Sequence, residues 1–293
     1  MTRPMGLRRV PSRVTALASM ILVGLLLAGC SGATTALTST TTTLSKSATS
    51  VPKSTTTTTA PPPQRTFNLY FVRGSTLGVA TRTVGTVDDP HYAQMLSLVF
   101  GPTPAEVAAG LITDIPSGTV VRGLVVRNGL ATVNFSPSFV EPAPPAVLSA
   151  RLAQVVYTLT SFPNVTGVVI QVAKVQLVNF AGVNMSAPIG RTQVTSALPD
   201  VLLESPAVGG SLRGELSISG ITAFDGTYDV DLTDPSGKLL AAVTNTAAIG
   251  GTFQQSVPFT ISSPEIGTIH VFSRSLSDNQ ASQEYQFTVA LTP

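Results

Sequence analysis

Residues 120–136, VVRGLVVRNGLATVNFS, decide how the first half of this 293-residue chain folds. Val120 to Val126 and Leu130 to Phe135 are apolar, β-branched runs on either side of Arg127-Asn128-Gly129. Asn-Gly supplies two residues that tolerate positive φ, which a two-residue hairpin turn demands, so the stretch is predicted to be a hairpin. Upstream, Phe67 to Val72 and Leu77 to Val84 flank Gly74-Ser75 and give a second hairpin. Between the two, Asp89 is a good N-cap with Pro90 at the first helical position, and Gly101-Pro102 stops the helix. Thr103-Pro104-Ala105-Glu106 is a capping-box pattern for a short helix ending at Gly110. Downstream, a Pro-rich turn at Glu141 to Pro145 precedes a helix carrying Val147, Leu148, Leu152, Val155, Val156 and Leu159 on one face. Strands at Val165 to Val172 and near Val175 to Val178 follow. This order predicts a mixed sheet with helices on one side, over residues 66–197.

Beyond Leu198-Pro199-Asp200 the pattern changes to short alternating strands with no helical period. Seven are predicted, at Val201 to Glu204, Gly214 to Ser219, Thr227 to Thr233, Leu239 to Thr244, Gly251 to Phe259, Gly267 to Ser273 and Gln283 to Leu291. Their spacing predicts a β-sandwich over residues 200–293, without the Cys pair or Trp of antibody domains. The whole is an α+β chain.

Ahead of both modules, residues 1–29 read as a signal peptide: a positive start, then the apolar run VTALASMILVGLLLAG from Val14 to Gly29. That run is shorter than the roughly 20 residues a membrane-spanning helix needs. Leu27-Ala28-Gly29-Cys30 looks like a lipobox, and Cys30 is the sole cysteine of the chain, so it is the predicted site of lipidation. The expected address is therefore the outer face of the cell membrane, held through a lipid anchor on Cys30. Residues 30–65, rich in Thr, Ser and Pro, cannot bury a core and are expected to be a disordered linker, bare or glycosylated. Within it Ser50-Val51-Pro52-Lys53 matches S-x-x-K, whose nucleophile needs a packed site, so the match reads as chance.

Charge argues against nucleic acid as a partner. Arg3, Arg8, Arg9 and Arg13 all precede Cys30 and no acid does, so the net charge of +2 becomes −2 after processing. The first module carries seven basic residues (Arg73, Arg82, Arg122, Arg127, Arg151, Lys174, Arg191) against five acids, and the second three against ten. Such asymmetry can steer association or merely solubilise. His91 and His270, the only histidines, fall in different modules. No hydrolase, zincin, phosphate-loop or dinucleotide signature occurs, so neither catalysis nor a cofactor is expected. Asp225, Asp229, Asp231 and Asp234 lack EF-hand spacing, and read as a solvated strand face and an Asp-Pro-Ser-Gly turn rather than a calcium site.

The first module resembles the GerMN domain of sporulation and spore-germination lipoproteins. The resemblance rests on Leu69-Tyr70-Phe71, Arg82-Thr83-Val84, Leu98 to Pro102, Ile115 to Thr119, Ala131 to Ser136, Thr158 to Pro163 and Val165 to Ile170. The second resembles the immunoglobulin-like domain that accompanies GerMN domains, through Ser205-Pro206, Leu216 to Gly220, Phe224 to Thr227, Asp234 to Gly237, Gly251 to Phe253 and Val271 to Ser273. It implies a non-enzymatic envelope protein that works through a protein partner or self-association. A module that binds peptidoglycan or another cell-wall glycan is the alternative, with Tyr228, Tyr285 and a few Phe as its only aromatic platform.

Overall fold

The computed structural model describes residues 64–85, 88–276 and 280–293, all within one compact unit. Cys30, the signal segment and the linker up to residue 63 lie outside the described residues.

Strands β1 (Gln64–Arg73) and β2 (Thr76–Gly85) form the expected hairpin, paired from Gln64↔Gly85 to Arg73↔Thr76 across Gly74. Helix α1 (Pro90–Phe100) starts where the sequence places it: the Asp89 side chain accepts the Tyr92 N–H at 3.0 Å. It stops at Gly101, whose φ of 84° is a left-handed value open to glycine. Helix α2 (Pro104–Ala108) opens with the complete capping box of Thr103 and Glu106. Arg82 on β2 ties this corner together. It donates to Glu106 through Nε at 3.1 Å and Nη2 at 2.5 Å, and to the carbonyls of Ser97 and Gly101 at 3.1 and 2.9 Å.

A two-residue strand β3 (Leu111–Ile112) pairs with β1. Strands β4 (Val121–Arg127) and β5 (Leu130–Phe135) make the Asn-Gly hairpin, with φ of 51° at Asn128 and 79° at Gly129. Helix α3 (Pro145–Leu159) carries the chain back so that β6 (Gly167–Val172) runs parallel to β5, and β7 (Val175–Gln176) follows on its far side. A small hairpin, β8 (Asn179–Phe180) with β9 (Val183–Asn184), leads out of the module.

The expected single mixed sheet is instead two sheets, ordered β2-β1-β3 and β4-β5-β6-β7. Side chains explain the break. Where a further strand would extend the ladder along β1, the Tyr70 N–H donates to Thr158 Oγ1 of α3 at 3.1 Å, and the Asn68 carbonyl accepts from Gln94 Nε2 of α1 at 2.8 Å. The backbone groups are satisfied without a neighbouring strand, so the sheet ends there. Nor is α3 apolar on one face alone: every residue from Ala150 to Leu159 is buried, with β1 and β6 both against it. Its one internal cation, Arg151, is accommodated by the carbonyls of Asp114, Phe139 and Glu141 at 2.8, 2.8 and 2.9 Å.

The second module is the expected sandwich, with eight strands rather than seven. They are β10 (Val201–Ser205), β11 (Ser211–Arg213), β12 (Glu215–Thr222), β13 (Gly226–Thr233), β14 (Leu239–Ala247), β15 (Thr252–Pro258), β16 (Glu265–Ser275) and β17 (Ala281–Thr292). One sheet runs β10-β12-β15, the other β11-β17-β16-β13-β14. The unpredicted strand is β11, three residues long and parallel to β17, too short to show a period of two. On β13 the alternation is complete: Tyr228, Val230 and Leu232 are buried and Asp229 and Asp231 face outward. The buried apolar side chains of the two modules form one contiguous cluster, from Phe67 to Leu291.

If side chains replace a missing strand, Thr158→Val should leave the Tyr70 N–H buried and unpaired while keeping volume. The expected loss is about 1–3 kcal/mol, read as a lower urea midpoint at unchanged slope. An unchanged midpoint would mean that this bond does not hold the sheet edge.

Candidate functional site at the junction of the modules

Besides the shared apolar cluster, three polar contacts join the modules among the described residues, and the first is a charged one. Tyr70 stands on β1, Glu204 on β10, and Arg191 in a single 3-10 turn between them in sequence. Arg191 Nη1 donates to Glu204 Oε1 at 2.7 Å, and the Tyr70 hydroxyl donates to the same oxygen. Arg191 Nη2 reaches the Tyr70 oxygen at 3.1 Å, and its Nε reaches Thr160 Oγ1 at 2.9 Å. The guanidinium also lies over the rings of Tyr157 and Tyr70, 4.7 and 5.4 Å from their centroids. Asn68 completes the contact by donating to the Glu204 carbonyl at 2.9 Å. Burial raises the Tyr70 pKa well above the ordinary phenol value, although Arg191 opposes this. For Arg191 burial pulls downward, but Tyr70 and Glu204 outweigh it and the net shift is upward.

A second cation, Arg73 at the end of β1, lies over aromatic rings of β17. Its guanidinium carbon is 4.6 Å from the Tyr285 centroid and 5.6 Å from that of Phe287. Its Nε and Nη2 are buried without a hydrogen-bond partner among the described residues, and burial lowers its pKa. Tyr285 is itself fixed to β10, donating to the Val201 carbonyl and accepting the Leu203 N–H, both at 2.9 Å. The third contact is main chain. The loop leaving β10 lies parallel to β2, with Val208 N–H donating to the Val79 carbonyl at 3.1 Å and Thr81 N–H to the Val208 carbonyl at 3.0 Å.

Beside this third contact an open groove of about 500 Å³ follows the outer edge of β2. Thr81 and Thr83 lie along its length, Ala105 and Ala109 of the α2 segment on one wall, and Ile266 and Thr288 of the sandwich on the other. The Arg82–Glu106 pair also lines it, both charges already matched.

The residues weighed from sequence are dispersed. Asp225 accepts the Ile249 N–H at 3.2 Å, Asp229 accepts from Thr244 Oγ1 at 2.5 Å, and Asp234 holds its own turn through Ser236 and Lys238. Burial, with Asp229 alongside, raises the Asp231 pKa. No group of three or more His, Cys, Asp or Glu side chains suited to a metal occurs among the described residues. His91 meets Asn164 and Phe162, His270 meets Thr233, and the two stay in separate modules. Ser136 is a strand-end hydrogen bonder, accepting the Val120 N–H at 2.9 Å. Tyr228 is fully buried and Tyr285 is bonded inward, which removes both from any glycan platform. Sequence reasoning missed the junction residues Tyr70, Arg73, Arg191 and Glu204. The one available signal was Arg191, isolated among uncharged residues between Lys174 and Asp200.

Residues 68–177 match the family model "Germane: Sporulation and spore germination", and residues 200–280 match "Gmad2: Immunoglobulin-like domain of bacterial spore germination". Among solved structures, the chain is similar to a candidate lipoprotein of Clostridium perfringens at 17% identity and a TM-score of 0.34, over 48% of this chain and 99% of that one. It is similar to the first GerMN domain of the sporulation protein GerM from Bacillus subtilis at 19% and 0.32, over 46% and 96%. The tandem GerMN domains of that protein align at 17% and 0.35, over 64% and 61%. No curated protein matches the sequence.

The junction tyrosines give a pH dependence. Burial pushes Tyr157 and Tyr285 up to about 12 and Tyr70 upward as well, against about 10 in an unfolded chain. The folded state therefore holds these protons more tightly. Their contribution to stability is intact below pH about 10 and is lost as pH rises toward about 12. In an alkaline titration, tyrosinate absorbance from these groups should appear together with loss of the circular dichroism of the fold. Ionisation of all five tyrosines near pH 10, with the fold intact, would contradict the burial of the junction.

Proposed function

We propose that this chain, which carries a Germane domain followed by a Gmad2 domain, is an exported lipoprotein of the cell envelope that works by protein–protein contact rather than catalysis. The process suggested by its two domains is an envelope assembly of the sporulation or germination type. The observation that carries the reading is the junction. A half-buried Arg191–Glu204 pair, a stacked Arg73 and a main-chain bridge hold the modules together, so that they present one fixed composite surface. Fixing a binding surface in advance lowers the entropy lost on association, which favours a scaffold or docking role. The matched charges serve the same reading, because Arg82 and Glu106 satisfy each other and leave the groove without a free reactive group.

Placement at the membrane rests on Cys30, where two or more acyl chains give stable anchoring while one gives only marginal binding. Among the described residues no helix is long and apolar enough to cross a membrane. Attachment through Cys30 would hold both modules within reach of the bilayer surface.

The test is cross-linking of the tagged full chain in cells, followed by mass spectrometry, beside its Cys30→Ala variant. An envelope protein should be recovered, and Cys30→Ala should leave the detergent phase. Recovery of no protein partner, with turnover of a wall substrate by the purified chain, would overturn the reading. Unchanged partitioning of Cys30→Ala would overturn the anchor alone.

A further inference from the structure

The outer edge of β2 is a strand edge that the fold begins to cover and then leaves open. Antiparallel strands direct alternate residues toward and away from a given neighbour. Val79 and Thr81 turn their backbone groups away from β1, since both bond Val208. Thr83 and Gly85, two and four residues further on, turn theirs the same way, and both are exposed. Val208 completes one parallel bridge around Ala80, and then the loop departs. Gly209 takes a φ of 82°, and the Gly210 N–H folds back to the Ala207 carbonyl at 2.8 Å, so the covering chain leaves the edge at that point. The pattern Val208 fills around Ala80 is repeated, without a backbone partner among the described residues, around Arg82 and Val84: the Thr81 carbonyl, the Thr83 N–H and carbonyl, and the Gly85 N–H. Along Thr81 and Thr83 this edge borders the 500 Å³ groove.

Resting on the reading that the chain acts through protein contacts, the geometry points to β2 from Thr81 to Gly85 as a docking edge for an extended segment of another polypeptide, which adds a strand in the groove. The occupant follows from chemistry. The exposed groups alternate as donors and acceptors at the strand repeat of about 6.6 Å for two residues, a spacing that another main chain matches. The walls suit a strand as well. Ala105 and Ala109 project only methyl groups, leaving room for the added chain, while Ile266, 55% exposed, offers an apolar seat for a side chain. An uncovered edge next to small side chains is the kind that natural folds otherwise blunt with charge, proline or a bulge. Here the nearest charge, Arg82, is turned to Glu106.

Thr83→Pro is the discriminating variant. The Thr83 N–H points away from β1, so proline there removes a docking donor without removing a bond of the β1–β2 ladder. Ala105→Trp, at an exposed position on the groove wall, is the second variant and blocks the space rather than the bond. The probe is a phage-displayed random peptide library selected on the purified full chain. Enriched peptides should bind the wild type, protect the Thr83 amide from hydrogen exchange, and lose about tenfold in affinity to either variant at unchanged circular dichroism. If Thr83→Pro fails to fold, Ala105→Trp alone decides. No enrichment, or peptides that bind both folded variants as well as the wild type, overturns the docking edge. In cells, an envelope partner still cross-linked by both variants would sink this inference while leaving the proposed function standing.

Discussion

The Arg191–Glu204 pair is the interaction on which the arrangement of this protein depends, because its two partners, 13 residues apart, both bond the Tyr70 hydroxyl and so fasten β10 to a strand more than 120 residues upstream. Its side chains keep only 26% and 23% of their exposure, so the charges are partly desolvated. A fully exposed pair contributes about 0–1 kcal/mol, whereas removing one partner of a fully buried pair costs about 3–5 kcal/mol. A half-buried pair lies between these limits. What lifts it above a surface contact is the number of groups that need it. The Tyr70 hydroxyl shares the Glu204 oxygen, Tyr157 and Tyr70 present ring faces to the guanidinium, and Thr160 takes its Nε. Removing Arg191 would leave a partly buried carboxylate with only the Tyr70 hydroxyl and no cation, and removing Glu204 would leave an unpaired guanidinium over two rings.

That dependence explains why the two modules share one apolar core. Burying Val201, Leu202 and Leu203 of β10 next to the first module brings Glu204 to Arg191 and the following loop to β2. Arg73 then covers Tyr285 and Phe287, whose strand also borders the groove through Thr288. Two of the seven basic residues of the first module, Arg73 and Arg191, thus meet the acidic second module. The charge asymmetry visible in the sequence is partly answered inside the chain. What the junction leaves open, beside its main-chain contact, is the groove along β2.

Much of the fold was legible because its signals are local. Asn128-Gly129, Asp89 with Pro90, and Thr103 with Glu106 each specify a turn or a cap within four residues, and each forms as read. The alternation on β13 told its buried face from its exposed one. Three features were not legible, for one physical reason: each depends on side chains distant in sequence. The first sheet stops because Gln94 and Thr158 replace a strand, and nothing in their own neighbourhoods announces that. Helix α3 is buried from Ala150 to Leu159 because β1, α1, β6 and the turn at Thr195–Ala197 all pack around it, including on the face that amphipathic reasoning left to solvent. Tyr70 and Glu204 lie 134 residues apart, so the junction has no motif to find.

The most direct measurement is urea unfolding of the full chain followed with a separate probe in each module, for example fluorine-labelled tyrosine resolved at Tyr157 and at Tyr228. If the junction makes the modules one cooperative unit, both probes should report a single coincident transition. Two separated transitions, with one module unfolding while the other stays native, would contradict it.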